Sequence, residues 1–220
     1  TLFRSVVGDW LCLKRVEVDH LEILGRSLRA FHESMTDADW IGPGRFRRQD
    51  LEALGQRIAR HSNATESIIA ATHWALSRLP DVYARNLPAT VIHGDLFRDN
   101  ALWQASDRAP TIIDWESAHW GPRALDLAVV LLSWTYREDF EWEHGRALMR
   151  GYGTLSPDEQ QSFFALLCFA CVRFLLTRVM DFHLDPGPDA SRTYRRFEAR
   201  LKRLEDLGEA RVLERLGVVR

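Results

Sequence analysis

The chain has 220 residues, of which 46% are hydrophobic and 27% charged. That is the profile of an ordinary globular protein, long enough for one domain with a sizeable core, or one and a half. A formal net charge of −2 gives no electrostatic pull toward nucleic acid or an anionic membrane, and neither is expected as a partner.

Basic residues are nearly all arginine. Lys14 and Lys202 are the only lysines, so few are available for any lysine-dependent role. The chain opens on Thr1 without a basic-then-apolar leader, which predicts a cytoplasmic protein and a processed chain or a piece of a longer one.

Residues 2–18 mix β-branched and aromatic side chains, as in Trp10-Leu11-Cys12-Leu13, and predict one or two strands or an extended segment. A helix follows from Asp19, with Leu21, Leu24, Leu28 and Phe31 at helical spacing and His32 at its end. That histidine is read as a partly buried helix-end residue. Gly42-Pro43-Gly44 mark a loop over residues 37–48. Leu51, Leu54 and Ile58 predict a second helix. Thr65-Glu66-Ser67 opens a third, carried by Ile68, Ala71, Ala75 and Leu79 and ended by Pro80.

Val91-Ile92 is a short apolar strand that stops at His93. A turn carrying Asp95, Asp99 and Asn100 follows. Ala101-Leu102-Trp103 and Thr111-Ile112-Ile113 then form a hairpin around a turn at residues 106–110, and Asp114 ends its second strand. Gly121-Pro122 break the chain before a helix from Ala124 to Trp134, with Asp126 near its start.

Residues 141–151 predict another helix. Ser156-Pro157-Asp158-Glu159 is a capping box with proline at the first helical position. It opens a long apolar helix to about Phe182. Arg173 and Arg178 interrupt its surface, and no uninterrupted apolar run reaches the roughly 18 residues of a membrane span. Cys168 and Cys171 are read as two buried thiols one turn apart, because three cysteines at these positions make no disulfide framework. Residues 185–188 are a linker, and residues 191–206 with a short final segment read as amphipathic surface helices.

The chemistry concentrates in His93-Gly94-Asp95-Leu96-Phe97-Arg98-Asp99-Asn100 and Ile113-Asp114-Trp115-Glu116. Asp95 is a candidate base for a hydroxyl proton. Asn100 and Asp114 offer hard oxygen ligands that suit Mg²⁺ better than zinc, and the hairpin brings them within reach of one metal. His-x-Asp-x-x-x-x-Asn followed by an Asp on the next hairpin has the spacing of a kinase catalytic loop and its metal-binding Asp.

With Gly94 inside the first motif and Asp-Trp-Glu as the second, the sequence resembles the aminoglycoside phosphotransferase and choline kinase family of small-molecule kinases. The residues from Val172 to His183, Tyr194-Arg195-Arg196, and the Leu-Phe-Arg-Asp-Asn of the first motif look like type II homoserine kinases of this family. Asp114-Trp115-Glu116 departs from that branch and is commoner among general aminoglycoside phosphotransferase-like proteins, which leaves the acceptor open.

The resemblance implies an α+β, mainly α, fold: the helical large lobe of a protein-kinase-like fold, with a small β-hairpin carrying the catalytic and metal-binding loops. Residues 1–18 would be a hinge or remnant of a small lobe, and residues 19–220 the catalytic lobe. It implies transfer of a phosphoryl group from ATP, with Mg²⁺, to a small-molecule hydroxyl. Asp95 would be catalytic and Asn100 and Asp114 would hold the metal. His93 would fix the loop from beneath, and Asp126 would brace it.

Arg98 is a candidate for a phosphate or a substrate carboxylate. Glu116, Arg173, Arg178 and Asp181 are candidates for an amino-acid or amine pocket, against the alternative of an internal ion-pair network. No Gly-rich phosphate loop or strand lysine precedes the motif, so a fragment of a complete kinase is expected. Two other readings compete. One is a degenerate kinase-like binding module. The other is a metal-dependent hydrolase using His93, Asp95, Asp114, His119 and His183.

Overall fold

A computed structural model describes residues 8–38, 41–44, 46–104, 109–184 and 193–218. The segment 1–7, the hairpin turn at residues 105–108 and the expected linker at residues 185–188 lie outside the described residues. Among the described residues the fold is mainly helical, with two small antiparallel sheets, as the motif resemblance implies.

The first sheet joins β1 (Asp9–Trp10), β3 (Ala101–Trp103) and β4 (Thr111–Ile112) in the order β1-β3-β4. The hairpin was expected; its third strand comes from the N-terminal segment. The second sheet pairs β2 (Ala89–Ile92) with β5 (His119–Pro122), Ile92 opposite His119. β5 was read as a chain break because it contains Gly121-Pro122. Pro122 faces Ala89 at the end of the ladder, where a missing N–H costs little.

Of the helices, α1 (Val18–Ser34) buries Leu21, Leu24 and Leu28 and packs against α5 (Trp142–Tyr152). They meet at two glycines. A methyl group at Gly151 would run into the Glu22 carbonyl, and one at Gly25 into the Leu148 carbonyl. Gly151→Ala is therefore expected to destabilise the fold by about 3 kcal/mol through overpacking. An unchanged urea midpoint would mean that the two helices part at no cost. Further along, α2 (Arg48–Arg60) and α3 (Glu66–Leu76) form a pair. α3 stops short of the expected Leu79, because the residue before Pro80 is disfavoured in helical geometry.

α4 (Ala124–Trp134) is buried throughout, including Asp126. The central element is α6 (Pro157–Val179), which touches α2, α3, α4, α7 (Arg195–Leu207) and α8 (Glu209–Leu216). Its capping box forms as predicted. Ser156 N–H donates to Glu159 Oε2 at 2.8 Å, and Glu159 N–H donates to Ser156 Oγ at 3.3 Å. The buried Glu159 also takes a bidentate bond from Arg123 at 2.8 and 2.9 Å, tying the start of α4 to the start of α6.

After Val179 the helix widens into a π turn, Met180–Leu184. Residues Pro157–Leu184 are long and apolar enough overall to cross a membrane, though Arg173 and Arg178 interrupt the run, and most of the apolar stretch is buried within the fold. That is the behaviour of a core helix. Cys168 and Cys171 are buried on it, and burial pushes both thiols up, Cys168 to about 12. They fit the expected inert core role.

Candidate active site

The loop after β2 is held from behind by one carboxylate. Asp126 accepts from His93 N–H at 2.8 Å through Oδ2 and from Gly94 N–H at 2.7 Å through Oδ1. His32 adds a third bond, Nε2 to Asp126 Oδ2 at 3.1 Å, while its Nδ1 lies 2.9 Å from Tyr152 Oη. A carboxylate only accepts, so His32 Nε2 carries the proton, and the Tyr152 hydroxyl donates to Nδ1. Burial pushes the Asp126 carboxyl up. The hydrogen bonds from His32 Nε2 and the Gly94 N–H outweigh it and hold the group below the usual carboxylate range.

His32 is fully buried, deeper than its helix-end position suggested. Helical spacing gave no sign that a partner 94 residues away would reach it.

Gly94 turns the chain with φ +75°. A Cβ there would lie 3.1 Å from His119 Cε1 and 3.2 Å from the Ser117 carbonyl, so both conformation and space require glycine. His93 then bridges the loop: Nδ1 accepts from Asp95 N–H at 3.2 Å, and Nε2 donates to the Ile113 carbonyl at 2.9 Å. That pattern is the neutral ring with its proton on Nε2. His93 thereby links the loop of Asp95 to the strand that leads into Asp114.

Asn100 Nδ2 donates to the Asp95 carbonyl at 2.8 Å, and Ile113 N–H donates to the Asn100 carbonyl at 3.1 Å. Asp114 has φ 61° and ψ 63°, the only described non-glycine residue at positive φ. Aspartate tolerates this region better than most residues, and local strain of this kind concentrates at functional sites.

A cavity of about 340 Å³ opens in front of the loop. Asp95, Asn100 and Asp114 line it together, and so do Glu116, Arg173, Arg178 and Asp181. The two motifs and the C-terminal half of α6 therefore converge on one cavity. Phe46, Phe97, Phe174 and Phe182 supply apolar wall, and Ser117 and Thr177 hydroxyls. Sequence reasoning missed these wall residues, because nothing in their spacing distinguishes them from core.

Five carboxylates and two guanidinium groups line the cavity, an acidic excess that suits bound cations. Asp95 is pushed up by burial, against the opposing pull of the Arg173 guanidinium. Arg178 lies over the rings of Phe97 and Phe197, 5.3 and 4.6 Å from their centroids.

Arg98 departs from its expected role. It is absent from the cavity wall and spends its donors on backbone, Nη1 to the Leu11 carbonyl at 3.1 Å and Nε to the Ser133 carbonyl at 3.4 Å. It pins the loop to the N-terminal segment and to the end of α4.

Among the described residues no group of three His, Cys, Asp or Glu side chains is placed to hold a metal ion. The hydrolase reading fails on this point. His119 is buried between the Ser117 carbonyl and Tyr83 Oη, both at 2.8 Å, and His183 stacks near Tyr194. Mg²⁺ asks less of the protein, since it is commonly held by one or two protein oxygens together with substrate phosphates and water. The pair Asn100 and Asp114 fits that demand. With Nδ2 donating to Asp95, Asn100 keeps its Oδ1 for a cation.

The architecture matches solved kinases of small molecules. A choline/ethanolamine kinase family protein from Mesorhizobium loti superimposes with a TM-score of 0.67 at 19% identity, over 97% of this chain and 73% of that one. Spectinomycin phosphotransferase, solved with ADP and spectinomycin, gives 0.56 at 15% identity, over 97% and 69%. The fold is therefore protein-kinase-like.

The model of the family described as phosphotransferase enzyme family matches residues 13–167, and the chain belongs to that family. Homoserine kinase from Methylobacterium sp. (strain 4-46) is 32% identical over 186 residues, 81% of this chain and 58% of that protein. The chain spans a little over half the length of the curated relatives it matches.

Proposed function

We propose that the protein containing this chain is an ATP-dependent kinase of a small molecule, transferring the γ-phosphoryl group to a hydroxyl. The observation that carries the reading is the convergence of Asp95, Asn100 and Asp114 on one cavity, with the Asp95 loop held rigidly from behind.

Asp95 accepts the hydroxyl proton as the acceptor oxygen bonds to the γ-phosphorus and the bond to the ADP oxygen breaks. Asn100 and Asp114 would hold Mg²⁺, which neutralises phosphate charge when bound. His93 and Asp126 orient the loop without touching substrate. The mixture of Glu116, Asp181 and Arg178 on the wall suits an acceptor that carries an amine, homoserine-like or aminoglycoside-like. The homoserine kinase relative supports the first and the fold neighbours are compatible with either. Residues 19–220 are read as the catalytic lobe of this cytoplasmic enzyme and the segment before them as a hinge toward a nucleotide-covering lobe.

The test is ADP release by the protein as its gene encodes it, with homoserine, choline and several aminoglycosides as acceptors. Release that depends on one acceptor, on ATP and on Mg²⁺ is expected. A folded protein that binds Mg-ATP and releases no ADP with any acceptor would instead favour a kinase-like binding module.

A further inference from the structure

Arg173 stands at the wall of the cavity, yet its surroundings suit a task other than meeting substrate. It is 3% exposed. Its guanidinium carbon lies 4.4 Å from the centroid of Phe46 and 4.7 Å from that of Phe174. Nη1 donates to the Gly94 carbonyl. The N–H of the same glycine donates to Asp126 Oδ1 at 2.7 Å. Gly94 is thus gripped from α4 at its nitrogen and from α6 at its oxygen, with the His119 ring close to where a Cβ would sit.

The carbonyl of Gly94 and the N–H of Asp95 belong to one planar peptide, so fixing the first fixes the second. Asp95 N–H points to His93 Nδ1 at 3.2 Å. A rotation of this peptide breaks both bonds and redirects the Asp95 side chain.

We infer that Arg173 is a positioning residue that clamps the Gly94–Asp95 peptide, with Phe46 stacked over the guanidinium to complete the clamp. The inference rests on the kinase reading and assigns Arg173 a role beyond it. Arginine suits the post because a planar guanidinium stacks through its faces while donating in its plane. Lysine keeps the charge and loses both the plane and the fork.

Arg173→Met, Arg173→Lys and Phe46→Ala are to be measured by steady-state kinetics in the protein as encoded, and by amide hydrogen exchange at Asp95. Misplacement by about 1 Å near reacting atoms costs roughly 10²-fold. A fall in kcat of that order is expected for Arg173→Met, with the acceptor KM within about threefold of the parent, as for loss of an interaction felt only in the transition state. Asp95 amide exchange should accelerate, and Arg173→Lys should restore little of either.

A raised acceptor KM with kcat and exchange unchanged would overturn the clamp and make Arg173 a substrate ligand. If Arg173→Met folds poorly, Phe46→Ala carries the test, since its partly buried ring leaves α6 intact. Unchanged Asp95 exchange in that variant overturns the clamp. Asp95→Asn is measured in parallel. A fully active Asp95→Asn sinks the kinase reading, whereas an inactive one beside unaltered Arg173 variants sinks only the clamp.

Discussion

Asp95→Asn is expected to lower the rate of phosphoryl transfer by on the order of 10³-fold, within the range contributed by a positioned general base. Asparagine keeps the size of the side chain and removes its ability to take a proton. The fold should not suffer. The Asp95 carboxyl is raised by burial, against the pull of Arg173, so the folded state holds its proton to higher pH than the unfolded chain does. Stability linked to this group is present below the ordinary aspartate pKa and lost as pH rises through the raised folded value. At neutral pH the ionised side chain is a cost, and asparagine removes it. Activity within a few-fold of the parent would end the catalytic assignment. A lower melting temperature at neutral pH would show that Asp95 supports the fold.

Asp126→Ala should do the reverse, lowering stability and activity together. The substitution deprives three buried donors, His93 N–H, Gly94 N–H and His32 Nε2, of their acceptor. Breaking a buried charged contact of this kind costs about 3–5 kcal/mol, which for a chain of this size is a fall in melting temperature of roughly 10 °C. The pH dependence has a definite sign. Asp126 is held below the usual range, so its contribution is present above the ordinary aspartate pKa and lost as pH falls through the depressed folded value. The parent should lose stability on acidification below about pH 4, and the variant should show a shallower slope there. A melting temperature equal to the parent's would refute the brace.

The chemistry of the site was more legible than its architecture. The grouping of Asp95, Asn100 and Asp114 on one cavity was readable because loop motifs show themselves in residue type and spacing. The boundaries of α4 and the start of α6 were readable because a capping box and an apolar stretch are local signals. What escaped was tertiary. Gly121-Pro122 looked like a break and is the end of a paired strand. His32 looked peripheral and lies at the centre of the brace. Arg98 was a candidate for substrate, and Arg173 for substrate or an internal ion-pair network; each hydrogen-bonds backbone carbonyl oxygen. Periodicity reports which face of a helix is apolar; it does not report which carbonyl a buried guanidinium will find.

The π turn at Met180–Leu184 is equivalent to one residue added to a helix. One residue rotates everything after it by about 100°. Because the addition falls beyond Val179, the core-packing stagger of α6 is kept, and the re-aimed side chains include Asp181 and Phe182 on the cavity wall. Gain or loss of a single residue at this turn is therefore expected to re-aim side chains on the cavity wall without rebuilding the interior.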